Sequence, residues 1–221
     1  MPRLTLTFDN GPHPETTEGV LRVLDERQLR ATFFVVGDEL ARSGGRATAE
    51  RARAAGHWIG NHSMTHQVPL GDGGDDGDQA EEEIGAAQEL LGDLAHPDRL
   101  FRPFGGGGHL GPHLLSPAAL AYLVKHRYSV VLWNSVPRDW EDPTGWVERA
   151  RQDVANQEWT VLVLHDLPTG AMDHLAAFID GELAAGVEIV QELPEGCVPI
   201  RRGVTRGPVE HLVASGVAPD G

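Results

Sequence analysis

Short apolar runs rich in β-branched residues alternate with longer segments of helical periodicity along nearly the whole chain. No other feature restricts the fold as much. Residues 4–8 alternate apolar side chains with threonine, as a strand does. Residues 16–27 carry Val20, Leu21, Val23 and Leu24 at helical spacing, with Thr16 or Thr17 available as a cap. Residues 31–36 read as a strand buried on both faces. The same reading gives helices at 39–55 (ended by Gly56), 79–94, 117–125, 144–156 and 172–184, and strands at 57–60, 99–102, 128–133 and 160–164. Short strands at 187–190 and 198–200 close the series. Such alternation predicts right-handed βαβ units and a parallel sheet, and seven or eight units favour a barrel over an open sheet. A single domain over residues 1–221 follows, with the Gly- and Pro-punctuated segment 203–221 as a loosely packed extension.

Charge narrows the partners. The 221 residues carry 18 Lys plus Arg against 33 Asp plus Glu, a formal net charge of −15. A surface of that sign repels nucleic-acid backbones and anionic lipid, so neither is expected as a partner. Cys197 is the single cysteine, which excludes an intrachain disulfide, and it reads as a small buried hydrophobe. No apolar run is long enough to span a bilayer, and no basic stretch followed by an apolar one opens the sequence. The expected location is cytoplasmic. The loop 71–78 interleaves aspartate with glycine; calcium is chemically compatible there, but a solvated loop is the preferred reading.

Polar clusters fall at the C-terminal ends of successive strands, where the loops of a parallel barrel converge. Asp9 and Asn10 follow the first strand, and His62 and His66 the third. Arg102, Phe104 and a run of four glycines from Gly105 follow the fourth, Asp139 and Trp140 the fifth, and His165 and Asp166 the sixth. A spacing of four places the imidazoles of His62 and His66 on one side of a helical turn, within reach of one cation. Two nitrogens plus an oxygen suit zinc, cobalt or nickel better than magnesium. Hydrolysis needs a base for water and an acid for the leaving group, and Asp9 and His165 can serve. Arg102 can pair with Asp9, and Asp139 can favour the protonated form of His165. The competing reading of Arg102 or Arg138 beside Asp139 is a plain structural ion pair. Trp140 can stack on a sugar ring. Trp133 is expected in the core, and His109 and His113 are expected as loop histidines outside the site.

These clusters resemble, in the same order over residues 4–166, the five motifs of the polysaccharide deacetylase family, carbohydrate esterase family 4, also called the NodB-homology domain. Thr7-Phe8-Asp9-Asn10-Gly11-Pro12 is similar to the first motif, His62-Ser63-Met64-Thr65-His66 to the second, and Leu162-Val163-Leu164-His165-Asp166 to the fifth. The resemblance implies an α/β fold, a distorted parallel (β/α)7 barrel. It also implies removal of an acyl group from an amide nitrogen of an N-acylated sugar or small soluble amide. By the same likeness Asp9 is the base, Arg102 orients it, His165 is the acid and Asp139 tunes it. His62 and His66 hold a divalent metal, zinc foremost, with cobalt or nickel possible. Asn10 stands where the family has a metal-binding aspartate, so a metal-free state is an open alternative. Trp140 walls the substrate, and the third motif leaves Phe104 or Gly105 as the backbone oxyanion donor. Val136 replaces the first aspartate of the fourth motif. Two further functions stay open: a metal-independent amidohydrolase of small amides or ureides, and a carbohydrate-binding relative without chemistry.

Overall fold

The computed structural model describes residues 1–73 and 77–215. Among the described residues nine strands form one sheet: β1 (Arg3–Asp9), β2 (Thr32–Val35), β3 (Trp58–Asn61), β4 (Leu100–Phe101), β5 (Ser129–Val130), β6 (Trp159–His165), β7 (Glu188–Val190), β8 (Ile200–Arg201) and β9 (Val204–Thr205). The parallel path runs β6-β1-β2-β3-β4-β5. It closes where Ser135, beyond β5, bridges to Leu162 of β6. β6 pairs with β1 along its whole length, so β2 and β7 share the other edge, β7 at Arg3 to Thr5 and β2 at Thr7 to Asp9. That shared edge distorts the barrel. β8 and β9 form an antiparallel hairpin on β5, where the sequence reading had a single terminal strand.

Period-two alternation decides which side chains face the helices and which face the barrel axis. Leu4, Leu6 and Phe8 of β1 pack with Val20, Leu24, Trp146 and Phe178 in the main core between sheet and helices. The alternate positions, Thr5, Thr7 and Asp9, turn inward. Phe34, Leu100 and Val131 form a small cluster inside the barrel, and Gly60 is required there because a Cβ would lie 2.6 Å from the Phe34 ring. Each inward row, carried one residue or so past its strand, ends on a polar group: Asp9, His62, Arg102 and His165. Strand parity therefore aims the chemistry at one point.

Several helices differ from expectation for local reasons. The first spans Pro14–Glu26, with His13 as N-cap and Pro14 at its start, so Thr16 and Thr17 lie inside it. Segment 39–55 is two helices, Gly37–Ala41 and Gly45–Ala54. They are separated by Arg42 in extended conformation and Gly44 at φ +85°. The helix over 77–94 contains a π-helical turn at Glu81–Gly85 and ends in a 3-10 turn. The segment after Gly203 is not loose through residue 215: Val209 and Leu212 are buried in the second core cluster, and Val213 bridges to Leu115. Residues 216–221, and residues 74–76 of the loop weighed for calcium, lie outside the described residues. Among the described residues no helix is long and apolar enough to cross a membrane.

Candidate active site

The strand ends enclose a cleft of about 310 Å³ lined by Asp9, Asn10, His62, His66, Phe104, Gly105, Trp140 and His165. All the site residues read from sequence meet here, with Arg102 and Asp139 fully buried behind the cleft wall. Asp9 and His165 are paired in register at the ends of β1 and β6. Their side chains are held by two separate arms.

In the first arm, the Arg102 guanidinium donates to Asp9 Oδ1 at 2.8 Å and to Thr7 Oγ1 at 2.7 Å. Its face lies 4.1 Å from the Phe34 ring centre. A buried guanidinium is tolerated because these acceptors, with the Val131 and Leu132 carbonyls at 3.3 and 3.4 Å, take up its donors. Asp9 Oδ2 is left toward the cleft. In the second arm, Asp139 accepts from His165 Nδ1 at 2.8 Å and from the His165 backbone N–H at 2.9 Å. That places His165 Nε2 toward the cleft. Burial disfavours the charged ring, but the Asp139 hydrogen bond and charge outweigh it, and His165 titrates above an ordinary histidine. Trp140 meets the His165 ring edge-on at 4.7 Å. The alternative ion pairs do not form, because Arg102 goes to Asp9 and Arg138 pairs with Glu141.

His62 and His66 lie in a loop, not on a helical turn. Left-handed backbone at Ser63 (φ 68°) and His66 (φ 55°) folds the pair together, with ring centres 4.7 Å apart. Asn61 Oδ1 accepts from the Ser63 N–H, and Glu83 accepts from the N–H groups of Met64 and Thr65 and the Thr65 hydroxyl. The π-helical turn carries Glu83, a positioning residue that sequence reasoning missed; nothing in the local spacing marks it. His62 Nδ1 donates to the Arg102 carbonyl at 2.8 Å, leaving Nε2 bare toward the cleft. Burial pushes His62 down to about 3, partly opposed by its hydrogen bond to the Arg102 carbonyl and aided by the Arg102 charge, and burial then the neighbouring His62 push His66 down to about 3. Both rings are neutral at physiological pH. The 3.5 Å approach of His62 Nε2 to Asp9 Oδ2 is therefore a lone pair facing a carboxylate, not an ion pair.

Asn10, at φ 74°, turns its side chain into the same corner, and its Oδ1 is buried with no hydrogen-bond partner. Two neutral imidazoles and an orphaned amide oxygen fit a divalent cation. The set lacks the carboxylate that would add charge, and among the described residues no three His, Cys, Asp or Glu groups gather as a metal cluster.

The third-motif glycines build one wall. Trp133 Nε1 donates to the Gly108 carbonyl at 2.8 Å, and His113 Nε2 contacts the Gly105 carbonyl at 3.1 Å. Trp133 is buried yet lines the cleft, whereas His113 holds the Gly105 carbonyl without lining it. A Cβ on Gly105 would meet the Trp133 ring at 2.7 Å, which explains glycine at that position. Pro103, Val136, Val163, Leu167 and Glu141 also line the cleft.

Asp166 sits beneath the site, fully buried, taking a 2.5 Å hydrogen bond from Thr17 and packing against Gly11, where a Cβ would lie 2.2 Å from it. Burial drives Asp166 up to about 6. Its neutral form is favoured by the fold, so its stabilising effect is full at low pH and is lost as pH rises through about 6. Asp166→Asn, which keeps an acceptor for Thr17, is expected to raise stability at pH 7 by on the order of 2 kcal/mol and to flatten this pH dependence. Urea unfolding at pH 4 and pH 7 measures both.

The family model described as polysaccharide deacetylase matches residues 2–132. The chain belongs to the polysaccharide deacetylase family. A chitooligosaccharide deacetylase of Rhizobium leguminosarum is 32% identical over 145 residues, which are 64% of this chain and 58% of that protein. A peptidoglycan-N-acetylglucosamine deacetylase of Bacillus cereus is 30% identical over 166 residues, 74% of this chain and 72% of that one. In structure, a family 4 acetyl xylan esterase from Clostridium thermocellum, solved in complex with a cobalt ion, superposes with a TM-score of 0.67 at 28% identity, covering 85% of this chain and 87% of that one. The distorted, mostly parallel barrel is the fold of that family, and the chain's class of chemistry is amide hydrolysis.

Proposed function

We propose that this member of the family is a metal-assisted N-deacylase of an N-acylated sugar or a small soluble amide. The observation that carries the reading is the pair of opposed arms, Arg102–Asp9 and Asp139–His165, meeting at the ends of adjacent strands beside His62, His66 and Asn10. Asp9 Oδ2 takes the proton of the attacking water, since Oδ1 is committed to Arg102. Backbone N–H groups at Phe104 and Gly105 face the oxyanion, and Trp140 and Trp133 hold the acyl-bearing group against the wall. His165 Nε2 delivers its proton to the departing nitrogen. One water and one amide thus give one carboxylate and one amine. His62 Nε2, His66 and Asn10 Oδ1 would hold the metal, which supplies Lewis-acid charge at the carbonyl under attack. Zinc suits the donors best, with cobalt or nickel next.

Asn10 tests this directly. Asn10→Asp adds the missing negative charge to the donor set, and metal affinity is expected to rise by at least about tenfold. Competition of both proteins against a chromogenic chelator measures it. Equal affinities would remove Asn10 from the donor set and favour a second reading, for which the unpartnered Asn10 Oδ1 is the evidence. In that reading the amide hydrogen-bonds a substrate N–H, and a small amide or ureide is hydrolysed without metal.

A further inference from the structure

Arg99, Lys125, Arg127 and Arg202, with Pro97 and His126, line a hollow of about 460 Å³. It lies at the N-terminal ends of β4 and β5, opposite the active-site mouth. Lys125 closes the helix Pro117–Lys125, Arg127 leads into β5, Arg99 leads into β4 and Arg202 sits in the turn between β8 and β9. Lys125 alone has an ordinary explanation, because a cation suits the negative end of a helix dipole. Four permanent cations around one hollow exceed that need, on a chain whose net charge is −15.

Three walls are fixed by backbone contacts. Gly203 N–H donates to the Tyr128 carbonyl, Arg202 N–H donates to Ser129 Oγ, and Arg99 donates to the His126 carbonyl at 3.2 Å. Arg99, Arg127 and Arg202 all hold left-handed backbone, at φ 48°, 61° and 51°. Asp98 pairs with Arg202 at 2.7 Å. Among the described residues, Arg99, Lys125 and Arg127 have no acid within ion-pair distance. The hollow therefore presents uncompensated guanidinium and ammonium donors from several directions, the arrangement that phosphate oxygens satisfy with bidentate and point contacts.

We propose that this hollow is a binding site for a small ligand carrying two adjacent phosphate groups. One phosphate would leave part of the cation set unmatched. A long polyanion would have to continue over an acidic surface, which the net charge opposes. The site shares no lining residue with the cleft that holds Asp9 and His165.

The test is calorimetric titration of the chelator-treated full chain with inorganic pyrophosphate, at ionic strength fixed with sodium chloride. Saturable one-to-one binding is expected, stronger than that of sulfate and weaker at higher salt. Lys125→Gln with Arg127→Gln is expected to weaken it at least about tenfold. Lys125→Glu alone, an exposed change at a helix end, guards against misfolding of the double variant and should weaken binding in the same direction. Arg22→Gln, outside the hollow, should bind as wild type. Absence of saturable binding, equal binding of sulfate, wild-type binding by the Lys125 and Arg127 variants, or binding of long-chain polyphosphate without pyrophosphate would each overturn the proposal. Deacylase activity does not enter these readouts, so failure here leaves the cleft's function untouched.

Discussion

Asp9→Asn is expected to lower kcat by about a thousandfold or more, because the substitution removes the carboxylate oxygen that takes a proton from water. The same change leaves the Arg102 guanidinium buried without its counter-charge. Breaking a buried pair from one side costs about 3–5 kcal/mol, so the variant should also melt at lower temperature. A folding defect and a chemical defect are separable. Asp9→Asn combined with Arg102→Met removes both charges and is expected to recover most of the lost stability while recovering none of the activity. Thermal unfolding with kcat for the single and double variants gives the answer. Return of activity with stability would show that Asp9 serves the fold and not the reaction.

Asp139→Asn should produce the second largest effect, a fall in kcat of about a hundredfold to a thousandfold. Asp139 receives both the Nδ1–H and the backbone N–H of His165. An asparagine offers one acceptor and turns a donor toward the other N–H. The sign of the pH effect follows from the raised pKa of His165. As a general acid, His165 works while protonated, so kcat falls as pH rises through its folded pKa. Without the Asp139 charge that pKa drops, and the alkaline limb of the kcat profile moves to lower pH. The stability effect has the same sense. His165 is raised in the fold, so its contribution is complete below the ordinary histidine pKa and is lost as pH rises through the folded value. Full pH profiles of kcat for wild type and Asp139→Asn check the shift. An unmoved limb would assign the acid to another group.

The strands were legible because β-branched apolar runs carry their own boundaries, and because parity alone sends Asp9, Arg102 and His165 to one side. Those three residues and Asp139 meet as the sequence reading has them. His62 and His66 also meet, by a different route: two left-handed residues and the Glu83 carboxylate bring them together, where spacing suggested a helical turn. Glu83 could not be found because its contact spans 18 and 19 residues of sequence and depends on a π-helical turn. Trp133 looked like core, and it is buried; that its Nε1 also anchors the glycine wall is a tertiary fact. The breaks at Gly44 and in the Glu81–Gly85 turn are set by packing that local propensity does not encode. The terminal segment looked loose from its glycines and prolines, yet Val209 and Leu212 reach the core. Composition describes the backbone's freedom and not where two apolar side chains dock.

The reaction proposed for the cleft is hydrolysis of an N-acyl bond by the Asp9–His165 couple beside a metal held by His62, His66 and Asn10. It is tested most directly by acetate release from N-acetylglucosamine oligomers, measured together with metal content before and after chelation. Acetate and free amine are expected in equal amounts, with activity that disappears with the metal and returns with zinc or cobalt, and with Asp9→Asn at background while metal stays bound. Turnover by metal-free protein, or equal turnover by Asp9→Asn, would contradict it.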